Sequence, residues 1–267
     1  MAVRASDVLW KAGGGYYDDL APGIGAGPVR PDMNRPLVRK LAALLGDFGE
    51  RPRRPAALEV GCGPAAWSVW LAQRTGCRVV GVDIEPFAAE LGRTNLAAAR
   101  VDGEILCRDA FTPEANRDLW AQFDLVFSMG VLEHFDDPVE RLCALGQYLK
   151  VGGHIVTTVP NLHGVNWWLQ RLADVERLQM HVVYNATQLR DAHERAGFFT
   201  EGAGLLGFYD GFLSAPGVGA SPRRRRAHRW LCLATNLAAA GWTRLCGERV
   251  LPERRWLAPH VFYRGRK

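Results

Sequence analysis

The segment Leu58-Glu59-Val60-Gly61-Cys62-Gly63-Pro64, with Asp83 twenty residues past Gly63, limits what this chain can fold into more than any other stretch. The apolar run Ala56 to Val60 reads as a buried strand that passes straight into glycines spaced Gly-x-Gly. An apolar helix pattern follows, from Ala65 through Trp67, Trp70 and Leu71. Glycine lets the backbone turn tightly and approach a ligand with no Cβ in the way. The N-terminus of the next helix aims its free N–H groups at the same place. A second strand, from Arg78 to Val82, ends in Asp83, a carboxylate suited to accept hydrogen bonds from ribose hydroxyls. Together these features describe a nucleoside-cofactor site at the carboxyl edge of a parallel sheet.

The rest of the chain continues the alternation. Strands are predicted near 56–61, 78–83, 104–108, 123–128 and 153–159, with helical patterns between them, which implies βαβ units and a parallel sheet. Before them, a Gly/Pro-rich stretch leads to a helix pattern carried by Leu37, Leu41, Leu44 and Leu45. After Asn161 the sequence predicts a helical segment over 164–178. A helix over about 186–196 follows, with Asn185 and Gln188 as a capping pair and Gly197 as its stop. Gly202 to Phe212 reads as a sixth strand and Leu257 to Tyr263 as a last, antiparallel one. The expected fold is α/β and doubly wound (Rossmann-like), a mainly parallel seven-stranded sheet whose last strand is antiparallel. Residues 1–50 are read as an N-terminal helical lid and 51–213 as the cofactor-binding core. Residues 214–256 are read as a basic helical segment, and 257–267 as the final strand.

Gly61 to Ala66 also fits the G-x-G-x-x-A form of the dinucleotide fingerprint. Glu59 argues against NAD, because a carboxylate at the strand end repels a pyrophosphate and welcomes an ammonium. Later segments argue the same way: Asp109-Ala110, Val131 to Pro138 with its Leu132-Glu133-His134, and Leu149-Lys150-Val151-Gly152-Gly153. With Glu59 to Gly63 and Val82-Asp83-Ile84 they make five ordered segments over roughly residues 55–160. In these the chain resembles the class I S-adenosylmethionine-dependent methyltransferases. Leu132 to His134 and Thr158 to Asn161 are most similar to the branch that includes the ubiquinone-biosynthesis O-methyltransferases.

The resemblance implies S-adenosylmethionine as cofactor, S-adenosylhomocysteine as product, and residues 214–256 as an insertion on the substrate side. It implies Glu59 on the methionine ammonium side, Gly61 and Gly63 lining the cofactor, and Asp83 on the ribose diol. Ile84 would pack on the adenine face, Asp109 accept from its amino group with Ala110 beside it, and Ser128 lie under the methionine moiety. Tyr16 and Tyr17 read either as a lid over the cofactor or as plain packing. The branch's metal pattern is Glu-x-x-Glu-His, but Gly130 stands here at the first position, so no metal is expected and catechol or polyprenyl-phenol acceptors lose support.

Two histidines compete as general base. His134 follows the fourth strand and reads as base or substrate ligand, or as a structural hydrogen bond within its loop. His181 reads as base or as an ordinary loop histidine. The other histidines, 154, 163, 193, 228 and 260, read as structural or surface. Trp167 and Trp168 are either an aromatic wall for an acceptor or core.

The 267 residues carry a net charge of +5, unevenly spread. From Pro222 onward eleven arginines and Lys267 face only Glu248 and Glu253, a net of +10, so the first 221 residues sum to −5. The run Arg223 to Arg226 reads first as a solvated face, with membrane contact through Trp230–Leu245 (a predicted helix of about 16 residues) and recognition of an anionic substrate as weaker alternatives. Nucleic acid is disfavoured as a partner, because Ser128 to Val131 stands where base-amino methyltransferases carry Asn/Asp-Pro-Pro-Tyr. Six cysteines without metal or C-x-x-C spacing, and no signal-peptide pattern, point to the cytoplasm. The favoured activity is O-methylation of a small molecule. N- or C-methylation, or a macromolecular or lipid acceptor docked on the arginines, are the alternatives, and the sequence leaves the oligomeric state open.

Overall fold

Every residue of the first strand, β1 (Ala56–Val60), is buried, because helices cover both faces of the sheet there. The computed structural model describes residues 27–46, 54–217, 220–246 and 254–267. Around β1 the elements run in order: α1 (Pro36–Gly46) before it, then α2 (Ala66–Thr75), β2 (Arg78–Asp83), α3 (Pro86–Ala99), β3 (Gly103–Cys107), β4 (Phe123–Met129), α4 (Val139–Tyr148) and β5 (Leu149–Pro160). There follow α5 (Val165–Ala173), α6 (Val175–Gln179), α7 (Ala186–Arg195), β6 (Phe199–Leu206), α8 (Pro222–Cys246) and β7 (His260–Arg266).

The seven strands pair in the order β3-β2-β1-β4-β5-β7-β6. The first five run parallel, and β7 lies antiparallel between β5 and β6. Side chains that alternate along β1 enter two different cores. Leu58 and Val60 pack with Leu142, Leu145 and Leu189 of α4 and α7, while Ala57 packs with Val69, Ala89 and Leu45 of α2, α3 and α1. Strand order reverses between β1 and β4, which opens a crevice at their carboxyl ends where ligands bind in such sheets.

Several predicted boundaries move. The sixth strand occupies Phe199–Leu206, earlier than Gly202–Phe212, because β7 offers partners from Arg266 to His260 and the chain then turns at Gly207. The segment 164–178 is two helices, broken where the Asp174 carboxylate leaves the helix and caps the N–H groups of Glu176 and Arg177. α8 has 25 residues rather than about 16, since the arginine run is helical and forms its first turns. Trp167 and Trp168 meet edge to face, 4.7 Å between centroids, but Trp168 is 59% exposed and the pair is not core. Asn185 and Gln188 do form the capping box.

His193 on α7 is fully buried between the sheet and its own helix. Its ring stacks on Tyr263, 3.7 Å between centroids, Nδ1 meets the Leu189 carbonyl at 2.7 Å, and Nε2 meets the Thr157 hydroxyl at 3.0 Å. Burial pushes the imidazole pKa down to about 3, against the backbone bond to Leu189. A depressed histidine contributes stability that is complete above the unfolded value near 6.5 and is lost as pH falls toward 3. NMR of the imidazole nitrogens should therefore show His193 neutral down to pH ~4 in the folded protein, with unfolding free energy falling below pH ~6.5. Titration of the folded ring near 6.5 would contradict this placement.

Candidate active site

The turn after β1 is built on positive φ angles, +69° at Gly61, +49° at Gly63 and +54° at Ala65. Gly61 is doubly constrained, since a Cβ there would stand 2.6 Å from Cγ2 of Val131 in the loop after β4. The N–H groups of Gly61 and Cys62 both reach the carbonyl of Val82, and the N–H of Gly63 donates to the Asp83 carboxylate at 2.8 Å. The other Asp83 oxygen accepts from the N–H of Glu85 at 3.0 Å. Asp83 is buried, and that burial pushes its pKa up against these two bonds. Each oxygen keeps a second lone pair for a hydroxyl. Ile84, next in the chain, is 51% exposed, an apolar side chain standing open at the crest of the sheet.

The remaining expected cofactor residues divide. Glu59 is buried against α2, and one of its oxygens accepts from both the Ser68 N–H (3.0 Å) and the Ser68 hydroxyl (2.6 Å). Burial pushes its pKa up to about 8, and the two Ser68 bonds fasten α2 to β1. Asp109 is exposed and caps its own turn, accepting from the Phe111 N–H and the Thr112 hydroxyl. Ala110 is buried, and its carbonyl takes the Tyr148 hydroxyl at 2.5 Å. Ser128 lies level with Val60 across β4 and β1, fully buried, and its hydroxyl finds no protein partner. A buried hydroxyl of this kind calls for a polar ligand or a water. Tyr16 and Tyr17 lie outside the described residues.

The loop after β4 carries Leu132–His134 as a single 3₁₀ turn. Segment 180–185 is stitched over it, the Val182 N–H donating to the Glu133 carbonyl at 2.6 Å and the Tyr184 hydroxyl to the Phe135 carbonyl at 2.5 Å. This brings His181 onto His134, ring centroids 5.0 Å apart. Nδ1 of His181 meets the Arg177 carbonyl at 2.7 Å, which fixes Nδ1–H as donor and leaves the Nε2 lone pair available. Burial lowers the His181 pKa, so the ring is neutral at pH 7 and able to take a proton. Glu133 is buried, with Oε2 lacking a hydrogen bond and its pKa pushed up to about 8 by burial. The ligand atoms of Glu133, His134 and His181 lie within 4.8 Å of one another. The expectation of no metal counted only Glu133 and His134, whereas the fold brings a third donor group, His181, beside them.

A family model described as a methyltransferase domain matches residues 30–200, well over half of the chain. The chain belongs to the class I S-adenosylmethionine-dependent methyltransferases. Among curated relatives, a ubiquinone biosynthesis O-methyltransferase of Alkalilimnicola ehrlichii is 31% identical over 130 residues, 49% of this chain and 50% of the relative. A ribosomal protein L11 methyltransferase of Thermosipho africanus is 32% identical over 140 residues, 51% of this chain and 47% of the relative. The chain thus spans about half the length of these curated relatives. A putative methyltransferase from Bacillus halodurans shares the fold, with a TM-score of 0.58 at 14% identity, covering 86% of this chain and 99% of the other.

Within the methyltransferase, two supporting residues escaped the sequence. Asn95 is fully buried on α3 and bonds the Pro64 carbonyl (2.8 Å) and both backbone groups of Val29, so it ties the preceding segment to the glycine turn. Val131 is invisible in a motif search because its role is packing against Gly61. Gly61→Ala should lose about 1–3 kcal/mol of stability in urea denaturation, through φ strain and overpacking, and weaken S-adenosylhomocysteine binding. Pairing it with Val131→Ala should restore part of both. Full stability in Gly61→Ala alone would refute the proposed contact.

Proposed function

We propose that this methyltransferase transfers a methyl group from S-adenosylmethionine to an oxygen of a small-molecule acceptor in a biosynthetic pathway, in the cytoplasm. The observation that carries the cofactor half is the crevice at the carboxyl ends of β1 and β2. There the exposed Gly61 backbone stands at the turn whose buried Gly63 N–H holds the Asp83 carboxylate, next to the open Ile84 side chain. Bound S-adenosylmethionine supplies an activated methyl group, leaving S-adenosylhomocysteine. In this reading Asp83 accepts the ribose hydroxyls, Ile84 covers one adenine face, and Asp109 and Ala110 border the adenine edge. The unsatisfied Ser128 hydroxyl serves the methionine moiety, and Glu59 acts from behind by holding α2 in place.

The chain's own share of the chemistry is to hold the acceptor, exclude water and take a proton from the attacking hydroxyl. His181 suits the last task, being neutral with Nε2 available and Nδ1 anchored on Arg177. His134, its ring tilted 38° to that of His181 with centroids 5.0 Å apart, orients the acceptor. Positioning supplies on the order of 7–11 kcal/mol and a placed base roughly 10²–10⁴-fold in rate. Likeness to ubiquinone-biosynthesis O-methyltransferases, over 49% of the chain for one and 36% for another, favours an oxygen acceptor. The ribosomal-protein relative makes a protein acceptor the competing outcome.

One observation favours a second reading of the histidine pair. Glu133 Oε2 has no hydrogen bond, and with two imidazoles it makes the two-histidine, one-carboxylate donor set of many divalent-metal sites. A cation there would draw the proton from Glu133 and hold acceptor oxygens as a Lewis acid.

Incubation of acceptor pools with isotopically labelled methyl donor should give a product shifted by one labelled methyl, and a labelled protein band in place of a small product would overturn the acceptor class. Asp83→Ala should raise the dissociation constant for S-adenosylhomocysteine at least about tenfold, the loss of a charge-assisted hydrogen bond. His181→Ala should lower kcat by roughly 10²–10⁴ with cofactor affinity retained. Loss of turnover in a chelator, restored by added divalent metal, would move the proton-transfer role from His181 to the metal reading.

A further inference from the structure

α8 places six arginines and no acidic residue on 25 consecutive residues, between the edge strand β6 and β7. One side of the helix is held to the body. His228 meets the Ser214 hydroxyl at 3.0 Å, the Cys232 thiol meets the Gly211 carbonyl at 3.2 Å, and Asn236 accepts from the Gly211 N–H at 3.2 Å. Residues 228, 232 and 236 recur every four positions and so define the attached face. The opposite face carries Arg223, Arg226, Trp230, Leu233, Leu237 and Arg244 in one row at three-, four- and seven-residue spacing. That row is exposed, Trp230 by 64% and Leu237 by 63%. On the neighbouring α5, Leu172 is 70% exposed, and Arg224 pins the two helices together by donating to the carbonyls of Leu172 and Ala173 at 3.0 Å.

We infer that this face of α8 docks the enzyme on the surface of an anionic lipid bilayer, with the apolar centre of the row in the headgroup–acyl boundary and the arginines on lipid phosphates. Three considerations select that occupant. The first is charge complementarity, since the row is apolar in its middle and cationic at both ends, the composition of helices that lie in a membrane interface. Second, four consecutive arginines sit in the first turns of the helix, where the macrodipole is positive and disfavours cations. Anionic headgroups offset that cost. Third, a second copy of the chain would set this cationic row against its own twin, with no acidic residue in either helix to answer it. No helix among the described residues is long and apolar enough to cross a membrane, so α8 lies along the surface, with a length of about 37 Å.

The inference stands apart from methyl transfer and is tested without it, by flotation of the full chain with vesicles of phosphatidylcholine alone or mixed with phosphatidylglycerol. Binding to the mixed vesicles, weakened by salt and absent from the neutral ones, is the expected result. The apolar variants Trp230→Asp and Leu237→Asp should each lower it at least about tenfold, and each of Arg223→Ala and Arg226→Ala about fivefold. These side chains are exposed, so the thermal midpoint should not change, and circular dichroism verifies that each variant is folded. The docking surface is overturned if mixed vesicles leave the protein unbound, or if the arginine variants alone reduce binding. It is equally overturned if light scattering shows that Leu237→Asp converts a dimer to a monomer.

Discussion

The Gly63 N–H donates to the Asp83 carboxylate at 2.8 Å, and that buried bond joins the end of β1 to the end of β2. A buried carboxylate without partners is costly, and two backbone N–H groups, from Gly63 and Glu85, offset its lost hydration. The same bonds fix the glycine turn in left-handed angles and hold the carboxylate edge toward the crevice. Around this junction the other elements act as braces: Ser68 and Glu59 fasten α2, Asn95 fastens the turn from α3, and Val131 closes on Gly61 from the far side of the strand-order reversal.

That reversal also explains how the glycine turn comes close to the loop that carries the histidine pair. Val131 touches Gly61, and three residues later the same loop presents His134. His181 reaches it only because segment 180–185 is sewn to the loop through backbone and tyrosine hydrogen bonds. The pair is thus assembled from two separate crossovers, braced from below by α7 with its capping box and buried His193. The residues proposed for the cofactor sit on strand ends, and those proposed for the acceptor sit on the connections.

The parts legible in the sequence were those where a local pattern has one physical meaning. Continuous apolar runs became strands buried on both faces, Gly-x-Gly became a turn with positive φ, and Asn185 with Gln188 became a cap. Antiparallel pairing of the last strand followed from fold analogy. What stayed hidden depended on contacts distant in sequence. Nothing near Gly130 announces that His181 comes beside Glu133 and His134, and nothing near Glu59 announces that one of its oxygens is held by Ser68. The boundaries that shifted did so for similar reasons: β6 is placed by its partner β7, and α8 begins at Pro222 and takes the arginine run into its first turns. Arginine is a good helix former, whereas the sequence pattern weighed only where apolar residues recur.

Binding of S-adenosylmethionine at the carboxyl ends of the strands is the central proposal, and calorimetry with purified, folded protein tests it most directly. Titration with S-adenosylhomocysteine should release heat and saturate at one site, while NADH should give none. No heat with S-adenosylhomocysteine, or saturable binding of NADH in its place, would contradict it.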